Sequence, residues 1–118
     1  MSVGYRELIV WQKAMDLAEE VYSLTKQLPK TELYSLADQM KRAAVSVPSN
    51  IAEGQQRRSP KEFLIFLSVA RGSLAELETQ IMLCERFGYL NGEQTDKANN
   101  LSKEIGLMLL ALMKTLEE

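Results

Sequence analysis

Histidine is absent from the 118 residues. With it go the commonest general base and the commonest metal ligand. A helical-bundle di-iron site, which needs Glu-x-x-His on two helices, is excluded on the same ground. Cys84 is the only cysteine, so no internal disulfide can form. It falls on an apolar helical stripe and reads as a small buried hydrophobe rather than a reactive thiol. Three prolines and six glycines leave most of the chain free to be helix. The longest apolar run, Ile105–Met113 with Gly106 inside it, falls well short of the roughly 20 residues a bilayer requires. Met1–Glu7 has no apolar core of signal-peptide kind, so a cytoplasmic protein is expected. There is no Gly-x-Ser-x-Gly elbow and no glycine-rich phosphate loop. These absences predict a non-enzymatic chain without cofactor, metal or membrane partner.

What is present is an ordinary globular balance, 46% apolar and 25% charged residues, in a length that makes one domain, residues 1–118. Four segments carry apolar residues at alternating steps of four and three, the signature of a helix with one buried stripe. The longest, about 59–88, opens on Ser59-Pro60-Lys61-Glu62, a capping serine, a proline suited to the first turn and a glutamate placed for a capping box. Its stripe is Phe63, Leu67, Ala70, Leu74, Leu77, Ile81 and Cys84, and Gly88 closes it as a left-handed cap. The first helix, about 5–28, carries Val10, Ala14, Leu17, Val21, Leu24 and Leu28, with Trp11 read as core, and stops at Pro29. The second, about 33–54, carries Leu33, Ala37, Met40, Ala44, Val47 and Ile51. It keeps phase across Pro48, which predicts a kinked helix capped near Thr31 and ended by Gly54. The fourth, about 92–117, starts at an Asn91…Gln94 capping box and carries Ala98, Leu101, Ile105, Met108 and Leu112 before fraying over Leu116–Glu118. Connections this short join antiparallel neighbours. The fold class expected is all-α.

The stripes do not use all the apolar residues. Leu64, Ile65, Phe66 and Val69 surround the start of the third helix, and Gly72 sits in a run of small residues beyond them. Leu107 and Leu110 fall off the stripe of the fourth helix. Leu64, Ile65, Phe66, Val69, Gly72, Leu107 and Leu110 are therefore candidate contacts between copies of a homo-oligomer. Gly72 suggests close approach by another backbone, within the bundle or across a subunit contact.

Charge is uneven along the chain. The net value is −2, yet residues 41–71 hold six bases against two acids. Lys41, Arg42, Arg57, Arg58, Lys61 and Arg71 are the candidate contacts for an anionic partner such as structured RNA or other nucleic acid. Among the carboxylates, Glu76 lies beside core positions, where a salt bridge or hydrogen bond is the ordinary role.

Four stretches carry a family resemblance: Leu8–Ala14, Tyr34–Gly54, Phe63–Leu67 and Ala70–Thr79, with Asn50-Ile51-Ala52-Glu53-Gly54 and Gly72-Ser73-Leu74-Ala75-Glu76-Leu77-Glu78-Thr79 the specific parts. Over almost its whole length the chain resembles the four-helix bundle proteins named after intervening sequences in bacterial 23S ribosomal RNA genes. The resemblance implies an antiparallel up-down-up-down four-helix bundle, assembly as a ring-like homopentamer, and no enzymatic activity. A related branch, the accessory variability proteins of diversity-generating retroelements, is a basic pentamer that binds nucleic acid and a reverse transcriptase; this chain is acidic overall. Three functions follow for weighing. The first is an oligomeric bundle that binds structured RNA through a basic rim, and the second is a protein-interaction scaffold or accessory subunit. An enzyme using carboxylates comes third.

Overall fold

The computed structural model describes residues 4–117. Met1–Val3, part of the stretch read as having no signal-peptide core, and Glu118, the last residue of the stretch expected to fray, lie outside the described residues. Four helices make up the fold: α1 Ile9–Thr25, α2 Leu36–Gln56, α3 Pro60–Arg86 and α4 Gly92–Glu117, with short 3₁₀ turns at Tyr5–Glu7 and Lys30–Glu32. No strand occurs among the described residues. Each helix packs on its sequence neighbours, α4 closes against α1, and among the described residues no Cα pair comes within 8 Å across either diagonal. The body measures 46 × 24 × 20 Å.

Neighbouring helices are antiparallel, because contacting residues climb one helix as they descend the next. Lys13 meets Glu104 at 2.8 Å and Glu20 meets Lys97 at 3.9 Å between α1 and α4. Ser46 meets Ser73 at 2.7 Å and Met40 meets Cys84 at 3.6 Å between α2 and α3. Thr95 donates to Glu85 and Ser102 to Glu78 between α3 and α4.

The helix ends follow local chemistry. Ser59 Oγ accepts from the Glu62 amide at 3.2 Å. The reciprocal half of that capping box is not made, because the Glu62 carboxylate turns to Arg57 at 3.8 Å. At α4 both halves form: the Gln94 amide donates to Asn91 Oδ1 at 2.9 Å and the Asn91 amide to Gln94 Oε1 at 2.8 Å. Gly88 takes φ +78°. The Tyr89 amide then reaches back to Cys84 O at 2.9 Å and the Gly88 amide to Glu85 O at 3.1 Å, the paired reverse bonds of a Schellman ending.

Several sequence expectations are corrected. The first helix does not run unbroken from residue 5, since Leu8 is extended (φ −73°, ψ 123°) and separates the 3₁₀ turn from α1. Past Thr25 the chain continues only by i→i+3 bonds to Gln27 and Leu28, which leaves Leu28 buried ahead of Pro29. Of the residues near Thr31, it is Glu32 and not Thr31 that serves the start of α2. Glu32 reaches forward, accepting from Ser35 Oγ at 2.6 Å and from the Leu36 amide at 3.4 Å. Leu33 consequently lies in the connection, exposed.

Pro48 stands inside a continuous α2. Its missing N–H and ring cost about 3 kcal/mol in an isolated helix, offset here by the burial of Ala44, Val47, Pro48 and Ile51 around it. Gly54 does not end α2. It is buried two residues before the last one, and a Cβ there would lie 2.6 Å from Phe66 Cβ and 3.0 Å from Phe63 Cδ1. A hydrogen in place of a methyl is what lets α2 and α3 approach so closely. At Gly72 a Cβ would meet nothing within 4 Å, so close approach inside the bundle does not explain that glycine.

In α4 the buried line is Thr95, Ala98, Ser102, Ile105 and Leu109. Leu101, Met108 and Leu112 flank it, half-buried. The apolar spacing misplaces the line because two of its members are hydroxylated. Those hydroxyls are tolerated because α3 supplies a carboxylate to each. Leu17, Val21, Val47, Leu67, Leu77 and Ile105 fill the centre at full burial, each contributing on the order of 1.5–3 kcal/mol over an exposed position.

Gly54→Ala should lower the melting temperature. Overpacking against Phe66 costs about 1–3 kcal/mol, more than the roughly 1 kcal/mol gained in helix propensity. Gly106→Ala should do the opposite, since its Cβ would rest 3.6 Å from Leu74 Cδ2, an ordinary contact, and the helix gains about 0.5–1 kcal/mol. Thermal melts followed by circular dichroism compare the two. Burial, then the charges of Glu32 and Glu85, push the Cys84 thiol up to about 11. A thiol reagent at neutral pH should leave Cys84 untouched until denaturant is added.

Candidate nucleic-acid interface

Three residues, Arg57-Arg58-Ser59, reverse the chain from α2 into α3. So short a reversal requires Arg58 in the left-handed region at φ 57°, a conformation uncommon outside glycine. Arg57 is held in place. Its guanidinium lies 5.0 Å above the Phe66 ring, 3.4 Å from Glu53 and 3.8 Å from Glu62. Arg58 and Lys61 are exposed and, among the described residues, have no carboxylate within 4 Å. The N-terminus of α3 adds its own partial positive charge to the same turn. Arg6 joins this end of the bundle: a shallow cleft is lined by Gly4, Tyr5, Arg6, Glu7 and Gln56. That fourth cation was missed in the sequence because it is remote in the chain, and nothing but the antiparallel packing brings it here.

The other candidate cations stand elsewhere. Lys41 and Arg42 lie 15–16 positions back along α2, about 23 Å at 1.5 Å per residue. Lys41 sits 5.3 Å over the Tyr22 ring, and Arg42 pairs with Asp38 at 3.1 Å. Arg71 lies ten positions beyond Lys61, about 15 Å along α3, in a groove between α3 and α4 shared with Glu78, Lys103 and Leu107. The six residues therefore divide. Arg57, Arg58 and Lys61 come together at one end, and Lys41, Arg42 and Arg71 do not join them on one rim of the single chain.

The candidate contact residues divide as well. Ile65 and Val69 are exposed on α3, while Leu107 and Leu110 are exposed on α4 and line the groove with Arg71. Leu64 is half-buried. Phe66 already has a use inside the chain, between Gly54 and Arg57.

The carboxylates have structural partners. Glu76 accepts from Gln80 Nε2 at 3.3 Å on its own helix. Glu32 accepts from Tyr89 OH at 2.8 Å, which ties the two connections at the far end of the bundle. The Ser35 hydroxyl first, then Tyr89, hold Glu32 below its ordinary range, and the Glu32 carboxylate raises Tyr89 in turn. A lowered acid contributes stability above its unfolded pKa and loses it as pH falls through the folded value. A raised phenol contributes below its unfolded pKa and loses it as pH rises through the folded value. The pair is thus intact across neutral pH. Among the described residues no three metal-ligating side chains gather, and no helix is long and apolar enough to cross a membrane.

The family model described as 23S rRNA-intervening sequence protein matches residues 6–111. A crystal structure of a protein with unknown function from the S23 ribosomal protein family, from Bacteroides thetaiotaomicron, superposes with a TM-score of 0.83 at 29% identity, covering 90% of this chain and 99% of that one. No curated protein matches the chain.

Tyr89→Phe should move the Glu32 titration upward, toward the ordinary carboxylate range, in an NMR pH series. The melting temperature at neutral pH should fall, and that deficit should shrink below the Glu32 transition.

Proposed function

Because the chain belongs to the 23S rRNA-intervening sequence protein family, we propose that it is a non-enzymatic, self-associating bundle that holds structured RNA against the α2–α3 turn. The observation that carries this reading is the cation cluster at that turn. Arg57 is fixed by packing, Arg58 and Lys61 are unpaired, and all three stand at the N-terminus of a 27-residue helix. Phosphate oxygens are the complement of that arrangement, since forked guanidinium donors, the Lys61 ammonium and the positive end of the helix all attract anions. A net charge of −2 makes binding by the whole surface unfavourable and favours a local contact. The ring-like homopentamer implied by the resemblance belongs to this proposal. Repetition of the turn around an axis turns a modest patch into a multivalent one. We place this role in the cytoplasm, where structured RNA is at hand.

Fluorescence titration of a labelled structured RNA against the full chain tests the reading. Binding is expected at low salt and should weaken steeply as salt rises. The Arg58→Ala, Lys61→Ala double variant should weaken it further and flatten the salt slope by about two, near one for each cation removed. Absence of binding at low salt, or an unchanged slope in the double variant, overturns it. A protein partner that survives nuclease treatment of a lysate would favour the scaffold reading instead.

A further inference from the structure

We propose that the cleft beside the α2–α3 turn takes an unpaired guanine, so that the turn holds a looped stretch of RNA in preference to a plain duplex. This deepens the preceding reading and rests on it.

The cleft lies at the end of α2, measures about 480 Å³ and is lined by Gly4, Tyr5, Arg6, Glu7 and Gln56. That volume is within the roughly 300–1,000 Å³ of small-ligand sites. Gln56 immediately precedes Arg57, so a base seated here leaves its phosphate beside the cations of the turn. The other lining residues belong to the 3₁₀ turn ahead of α1, and that turn is fastened. The Gln12 side-chain amide donates to Arg6 O at 2.8 Å. The Glu7 amide donates to Gly4 O at 3.1 Å and the Leu8 amide to Tyr5 O at 3.0 Å.

Two of the lining side chains suit a base ring. Tyr5 is half-buried and meets Trp11 at 5.3 Å between ring centroids, with 70° between the planes. The exposed Arg6 guanidinium lies 5.4 Å over the Tyr5 ring. Aromatic rings and guanidinium planes are the surfaces on which unpaired bases stack.

The other two suit a base edge. Glu7 is exposed and has no cation within 4 Å among the described residues. An ionised carboxylate only accepts, and its two oxygens accept side by side. Guanine matches that pair with adjacent N–H donors at N1 and N2. Uracil offers one N–H between two carbonyl oxygens, which a carboxylate repels. Gln56 donates one N–H to Gln55 Oε1 at 2.8 Å and has a second for guanine O6. A paired guanine has this edge occupied by cytosine, so only a loop, bulge or end presents it. Glu7 also keeps phosphate itself out of the cleft, which separates the place of the base from the place of the backbone.

Titration of three labelled RNAs that share one stem tests the proposal: one with guanines in its loop, one with a loop of uridines, and a blunt duplex without a loop. The guanine loop should bind about tenfold more tightly than the duplex, as one stacked base provides. Tyr5→Ala should remove most of that preference and Tyr5→Phe should keep it. Neither should alter the salt slope, because no charge is lost, unlike the Arg58→Ala, Lys61→Ala variant. Glu7→Gln, at an exposed position, is the sharper test. Loss of a negative charge by itself strengthens binding of every RNA alike, whereas the cleft requires the advantage of the guanine loop over the uridine loop to shrink. Equal affinity for the two loops, or a ratio that Glu7→Gln leaves unchanged, overturns the cleft while salt-dependent binding at the turn stands. No binding of any of the three RNAs at low salt overturns both.

Discussion

The contact of α2 on α3 at Gly54 governs the end of the bundle that carries Arg57, Arg58 and Lys61. A glycine there admits Phe66 and Phe63 to distances that no Cβ would allow, and α2 and α3 make the most extensive helix pair in the bundle. Helices that close together at their ends leave room for only a three-residue reversal. That brevity puts Arg58 in the left-handed region and lays Arg57 across Phe66. The display of cations at the turn is therefore a consequence of one missing methyl group in the core. Pro48, six residues earlier, leaves the same helix continuous, and the side chains around it are buried.

The α3–α4 seam is governed by polar pairs. Thr95 and Ser102 occupy the buried line of α4 and donate to Glu85 and Glu78 of α3. Sliding α4 by one turn would take Ser102 from its only acceptor, at about 1–3 kcal/mol, and would leave Thr95 with only the longer bonds to Asn91 O and Gly92 O of its own helix. Apolar side chains tolerate such a slip better, since leucine packs on leucine in many registers. These two hydrogen bonds thus select one alignment, as a lone polar residue does in a coiled coil. That alignment places Gly106 over Leu74 and opens the groove that holds Arg71.

Much of this was legible in the chain because helix signals are local. The Ser59 cap, the Asn91–Gln94 box, the Gly88 ending and the buried stripes of α1, α2 and α3 follow from spacing and from side chains within a few residues of one another. Where the reading went astray, a distant partner was responsible. Gly54 looks like a helix end until Phe66 is seen against it, and of the two contacts Gly72 suggests, the one within the bundle drops out once the space around it proves open. In α4 the hydroxylated core positions are invisible to an apolar count, since the carboxylates that satisfy them lie on another helix.

The sequence by itself determined that the chain is four helices with one buried face each, where three of those faces lie, and which caps open α3 and α4. Those properties depend on steps of three and four along a single strand of chain. Only the tertiary structure decided which cations meet and which stand apart, for charges some 23 Å apart on α2 are near neighbours in a list of residues. It also decided which apolar residues remain uncovered, because exposure belongs to the packed bundle and to no helix alone.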